Sequence, residues 1–161
     1  MSVRKIYTQG DEVLSKKAHP VTNFDQKLHA LLDDMRDTLI HADGAGLAAP
    51  QIGILRRVAV ISDGEVITEL VNPEIVSIKG EQNGFEGCLS VPEKYGMVKR
   101  PMTVTVKAQD RNGNEFTMTG EEIVARAFCH EIDHLNGVLF TKYTSRLFTP
   151  EELQQMSKEE A

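Results

Sequence analysis

Apolar residues in the first third of the chain recur at steps of three and four. Leu28, Leu31, Leu32, Met35, Leu39 and Ile40 follow this rhythm and predict an amphipathic helix over about 24–42. Asn23 offers an N-cap with Gln26 three residues on, and Gly44 offers a stop. The period then shortens. Arg57–Ser62 reads as a strand ending in an Asp63-Gly64 turn. Val66–Val71 and Glu74–Ile78 read as two strands broken by Asn72-Pro73, and Lys79–Gly84 as a polar turn. Tyr95–Arg100 reads as a short strand. Met102–Gln109 alternates strictly, and Glu115–Met118 returns as its partner after the turn at 111–114. Thr119 with Glu122 forms a predicted capping box for a second helix reaching about Leu135, stopped by Asn136-Gly137. Thr149-Pro150 opens a short last helix. Residues 1–22 read as an extended lead-in, and 44–53 as a small-residue loop. Helix, strands, helix in this order predict an α+β fold of mainly antiparallel strands, as one domain over 1–161.

Composition leaves that picture standing and removes several functions. The 161 residues are 40% hydrophobic and 26% charged, with a net charge of −6. The chain is long enough for one stable core. It carries no basic run of the kind that binds DNA. No apolar run reaches the ~18–20 residues that span a bilayer, and residues 1–6 carry no apolar signal segment. Two cysteines, Cys88 and Cys129, are too few for a disulfide scaffold and fit a reducing compartment, so a cytoplasmic protein is the expectation, with monomer as the default state.

Candidate chemistry centres on His130-Glu131-Ile132-Asp133-His134. On a helix, His130 and His134 lie at i and i+4 on one face, where two imidazoles can share one metal ion. Glu131 can then serve water as a general base. Ala127, one turn earlier, leaves space on the same face. A catalytic site needs a third ligand. Position 140 is Phe, which excludes the downstream His of one protease class. Glu151 and Glu152 begin a new helix, where acids are favoured by the helix dipole alone. Cys88, in Glu86-Gly87-Cys88-Leu89-Ser90, is the better third ligand, because a thiolate binds Zn²⁺ or Fe²⁺ well. Cys129 points about 100° from the ligand face and reads as packing. His19, His29 and His41 have no matching partner. In Gly44-Ala45-Gly46-Leu47-Ala48-Ala49-Pro50-Gln51 the small residues permit close backbone approach, and the Gln51 amide could stabilise an oxyanion.

The stretches Gly44–Gln51, Glu86–Ser90 and His130–His134, in this order and spacing, resemble the three motifs of the peptide deformylases. The likeness spans nearly the whole chain. It implies a metal-dependent hydrolase that removes the N-formyl group from the initiator methionine of new polypeptides and releases formate. It implies Cys88, His130 and His134 as ligands of one divalent metal, usually Fe²⁺, with Zn²⁺ or Ni²⁺ also found. It implies Glu131 as general acid/base, and Gln51 with the backbone N–H of Leu89 at the oxyanion. Gly44, Gly46 and Gly87 would meet the peptide, and Phe85, Tyr95 and Ala127 would line the methionine pocket, with Arg126 at its rim. Two departures stand out. Cys129 replaces a common Gln, and the tail after Pro150 is acidic, which disfavours RNA contact during any transient approach to the ribosome. Two rival readings are a zinc endopeptidase with a downstream Glu and a structural metal-binding module.

Overall fold

In the computed structural model, residues 2–160 are described. β2 (Val58–Ser62) is the strand about which the layers form. Its residues are apolar at consecutive positions, so both faces must be covered. Val58 and Val60 face α1 (Gln26–Ala42), while Ala59 and Ile61 face α2 (Ile123–Leu135). β2 pairs antiparallel with β1 (Gly46–Ala48) and β3 (Ile67–Lys79). β6 (Thr103–Gln109) and β7 (Glu115–Glu121) extend this sheet to the order β1-β2-β3-β6-β7. A second sheet, β4-β5-β8, joins β4 (Gln82–Cys88), β5 (Val91–Arg100) and β8 (Leu147–Phe148). α2 packs against both sheets, and α3 (Pro150–Glu160) closes the described chain. This is the expected α+β arrangement around a central helix.

Several boundaries differ from expectation, each because a tertiary partner took the residues. The Thr119–Glu122 capping box does not form. β7 continues through Glu121, which pairs with Thr103, and Glu122 turns the chain at φ 54° without a side-chain cap. α2 therefore starts at Ile123. The two strands expected on either side of Asn72-Pro73 are one strand, β3, with a bulge. Asn72 takes φ 52°, and its side chain bonds the Val21 backbone and Gln109. α1 is capped by Asp25 rather than Asn23, through Leu28 N–H at 3.1 Å, and ends at a left-handed Asp43. β4 starts within the expected polar turn, and β5 reaches back to Val91. The 44–53 loop contains β1 and a 3₁₀ turn, Ala49–Ile52.

The consequence for function is positional. β1 is an edge of the five-stranded sheet and β4 an edge of the three-stranded one. α2 lies beneath the gap between them. Arg57 anchors its far end, donating to the Leu135 carbonyl at 2.9 Å and to Asn136 at 3.1 Å.

Candidate active site

β4 delivers Cys88, and α2 delivers His130 and His134. Cys88 Sγ lies 3.2 Å from His134 Nε2, which lies 3.2 Å from His130 Nε2. All three ligand atoms fall within 4.8 Å of one another. His130 Nδ1 lies 2.6 Å from the Glu86 carboxylate. A carboxylate accepts, so Nδ1 carries a proton, and Nε2 is the ring atom turned to the cluster. Two imidazole lone pairs and a thiol converging on one point fit a divalent transition metal. Burial holds His134 well below its ordinary pKa, in the neutral form that ligates. Burial lowers His130 as well, but Glu131, Cys88 and Glu86 outweigh it and raise it well above the usual range. A cation taking Nε2 replaces a proton there, so metal binding and proton release are coupled.

Glu131 follows His130 on the helix and is buried. A Cβ at Gly46 would overlap its carboxylate, so the absent side chain of Gly46 is what makes room for it. Its Oε1 has no hydrogen-bond partner among the described residues. Burial pushes the carboxyl up to about 7, a value suited to taking and returning a proton near neutrality. Gln51 is buried in the 3₁₀ turn. Its Oε1 accepts from Ala48 N at 2.9 Å, which fixes the amide orientation. Its Nε2 then points at Ser90 Oγ, 3.1 Å away, and Cys88 Sγ, 3.6 Å away. Leu89 occupies the turn after Cys88.

A cleft of about 650 Å³ opens above these groups, within the size range of small-ligand sites. Gly44, Gly46, Phe85, Gly87, Cys88, Leu89, Tyr95, Ala127, His130 and Glu131 all line it, and Gln51 and His134 stand behind. Phe85 is an exposed rim residue, edge-on to Phe148 at 5.6 Å. A side chain at Gly87 would overlap the Tyr95 ring. Cys129 is buried in the core, as expected, and burial pushes its thiol up to about 11. Glu152 instead pairs with Thr149 and Arg146, away from the cluster.

Four participants were not assigned from sequence. Glu86 holds His130 and is itself held by Arg100 Nε and Nη2 at 3.0 and 2.7 Å and by Arg126 Nη1 at 3.0 Å. Arg100 also reaches Asp133 at 2.8 Å, and Ser90 steadies Gln51. One signal was available: Glu86 stands two residues before Cys88 on a strand, hence on the ligand's face.

A family profile described as polypeptide deformylase matches residues 3–149. The peptide deformylase of Caldicellulosiruptor bescii is 55% identical over 155 residues, 96% of this chain and 93% of that protein. Peptide deformylase 1 of Bacillus subtilis is 52% identical over 158 residues, 97% and 99% of the two chains. Among solved structures, the peptide deformylase of Thermotoga maritima superposes with a TM-score of 0.88 at 41% identity, over 91% of this chain and 100% of that one. That of Legionella pneumophila gives 0.86 at 44%, over 99% and 98%. The chain belongs to the polypeptide deformylase family, metal-dependent hydrolases that remove the formyl group from the N-terminal methionine of polypeptides.

Proposed function

We propose that Cys88, His130 and His134 hold one divalent cation and that Glu131, Gln51 and Leu89 carry the deformylation chemistry beside it. The convergence of the three ligand atoms next to a buried Glu131 whose Oε1 has no hydrogen-bond partner among the described residues is the observation that carries this reading. The donor set accepts Fe²⁺, Zn²⁺ or Ni²⁺; Fe²⁺ is the native metal implied by the family likeness, with the others taken up in purified protein.

Bound there, the cation supplies Lewis acidity, acidifying water and polarising the formyl carbonyl. Glu131 takes the proton from the attacking water. Gln51 Nε2 and the Leu89 backbone N–H donate to the formyl oxygen as negative charge grows on it. Glu131 returns the proton to the amine nitrogen as the C–N bond breaks, leaving formate and a free amino terminus. The cleft lies between two sheet edges, β1 and β4, so an extended peptide can align its backbone there. Gly44, Gly46 and Gly87 keep its walls low, while Phe85, Tyr95 and Ala127 give the methionine side chain and its neighbours apolar contact. The chain acts as one catalytic domain over 1–161, as a cytoplasmic monomer close to the ribosome. The nascent-peptide substrate supports that setting; among the described residues no helix is long and apolar enough to cross a membrane.

The test is turnover of a formyl-Met tripeptide by anaerobically purified protein, with metal analysis of the same sample. Formate release with one bound metal per chain is expected. Cys88→Ala should lose the metal, whereas an endopeptidase using a downstream Glu would keep it. No turnover by Fe²⁺-loaded wild type would end the reading.

A further inference from the structure

Residues 1–22 carry no catalytic motif, yet Tyr7 and Gln9 touch the two turns that bear the oxyanion donors. Tyr7 N–H donates to the Gln51 carbonyl at 2.7 Å, and Gln9 N–H donates to the Ser90 carbonyl at 2.7 Å. Gln51 lies in the 3₁₀ turn Ala49–Ile52 that follows β1 of the five-stranded sheet. Leu89-Ser90 is the two-residue turn between β4 and β5 of the other sheet. Between the two donors, Thr8 N–H goes instead to Asp11 Oδ2 at 2.9 Å. This alternation is that of extended chain, which advances about 3.3 Å per residue, so the two carbonyls are held roughly 6–7 Å apart. Both ends of the segment are fixed. The Tyr7 ring packs on Gly53, where a Cβ would meet it at 2.7 Å, just past the 3₁₀ turn. At the other end, Asp11 N–H closes a turn onto the Thr8 carbonyl at 2.9 Å, with Gly10 at φ 107°. The two turns also meet directly: Gln51 Nε2 donates to the Oγ of the buried Ser90 at 3.1 Å. A change in their spacing would move the Gln51 amide relative to the Leu89 N–H, and a misplacement of about 1 Å can cost a reaction about 10²-fold.

We propose that Tyr7–Gln9 is a positioning element for the reaction: its two backbone N–H groups, on the Gln51 and Ser90 carbonyls, set the distance between the Gln51 amide and the Leu89 N–H so that both donors meet one formyl oxygen. The inference rests on the reading of Gln51 and Leu89 as the oxyanion donors and extends it to the segment that spaces them.

The turn Thr8–Asp11 supplies the test. Gln9 is its second position and precedes a residue at positive φ, the geometry in which proline is favoured at that place. Gln9→Pro therefore keeps the turn, removes the N–H and puts a ring carbon where the hydrogen was, pushing Ser90 away. On a formyl-methionyl tripeptide, kcat of the metal-loaded variant should fall about 10-fold or more, with KM and metal content within about twofold of wild type. Gln9→Ala keeps the N–H, changes only an exposed side chain and should match wild type. Asp11→Ala, which loosens the segment with no added bulk, should lower kcat about threefold at unchanged KM. Gln51→Leu alone tests the oxyanion reading: an unchanged kcat there ends that reading whatever position 9 does. With Gln51→Leu impaired, adding Gln9→Pro should cost less than about threefold more, because spacing toward an absent amide no longer matters. Fully additive losses, a wild-type kcat in Gln9→Pro or Asp11→Ala, or a loss that tracks metal content overturns the proposal.

Discussion

Glu131 shows how little freedom the fold leaves a single residue. Its carboxylate sits where a side chain at position 46 would be, and burial lifts its pKa to about 7. Glu131→Gln keeps the volume and hydrogen-bonding capacity but cannot take a proton. Metal content should stay at the wild-type level while kcat/KM falls by about 10²–10⁴. Loss of the metal together with activity would instead assign Glu131 to the cation. Gln51 permits a second substitution. Gln51→Leu removes an amide that Ala48 orients toward Cys88 and should cost about 10²–10³ in kcat with little change in metal content. The sequence singles out Glu131 through the spacing of its histidine neighbours and Gln51 through the resemblance of its motif, and the fold brings Gln51 Nε2 to 3.6 Å from Cys88 Sγ. Glu86 was not assigned, because its place on the face of Cys88 follows only once Gln82–Cys88 is known to be a strand.

Between elements, Glu86 is the junction. It receives His130 from α2, Arg100 from β5 and Arg126 from α2, and Arg100 extends the link to Asp133 beside the second ligand. β4 and α2 therefore meet through ion pairs as well as through the contact of Cys88 with His134. Burial pushes the Glu86 carboxyl up, but His130 and Arg100 outweigh it and hold it at about 2. A carboxyl lowered on folding contributes stability that is complete above its unfolded pKa of about 4.3 and is lost as pH falls toward 2. Denaturant midpoints should therefore drop between about pH 4.5 and 2, and the drop should flatten in Glu86→Gln. An equally steep profile in that variant would move the acid sensitivity to another carboxylate. Arg100→Met breaks a buried cluster and should cost about 3–5 kcal/mol of unfolding free energy. The sequence could not supply this junction, because no local pattern tells which arginine crosses from β5. The missed start of α2 has the same origin. Thr119 and Glu122 satisfy a capping rule, yet pairing with β6 claims the strand through Glu121.

At the scale of the whole molecule, the fold brings Cys88 within 3.2 Å of His134 across 46 residues of sequence. The three motifs predicted that meeting; the doubly covered β2 and the two sheet edges, β1 and β4, explain how it is achieved. A cation bound there cross-links β4 to α2 and has no preformed site in the unfolded chain. It should stabilise the folded state by RT ln(1 + [L]/Kd), about 2.7 kcal/mol when free metal is 100-fold above Kd. For a chain of this length each kcal/mol moves the melting temperature by about 2–4 °C, so chelation should lower it by about 5–10 °C. The shift should grow with the logarithm of added metal and vanish in Cys88→Ala, whose remaining two ligands both lie on α2 and cannot join the helix to the sheet. A metal-dependent shift that survived in Cys88→Ala would mean that the stabilising cation binds elsewhere, and β4 and α2 would then owe their alignment to Glu86 and Arg100 alone.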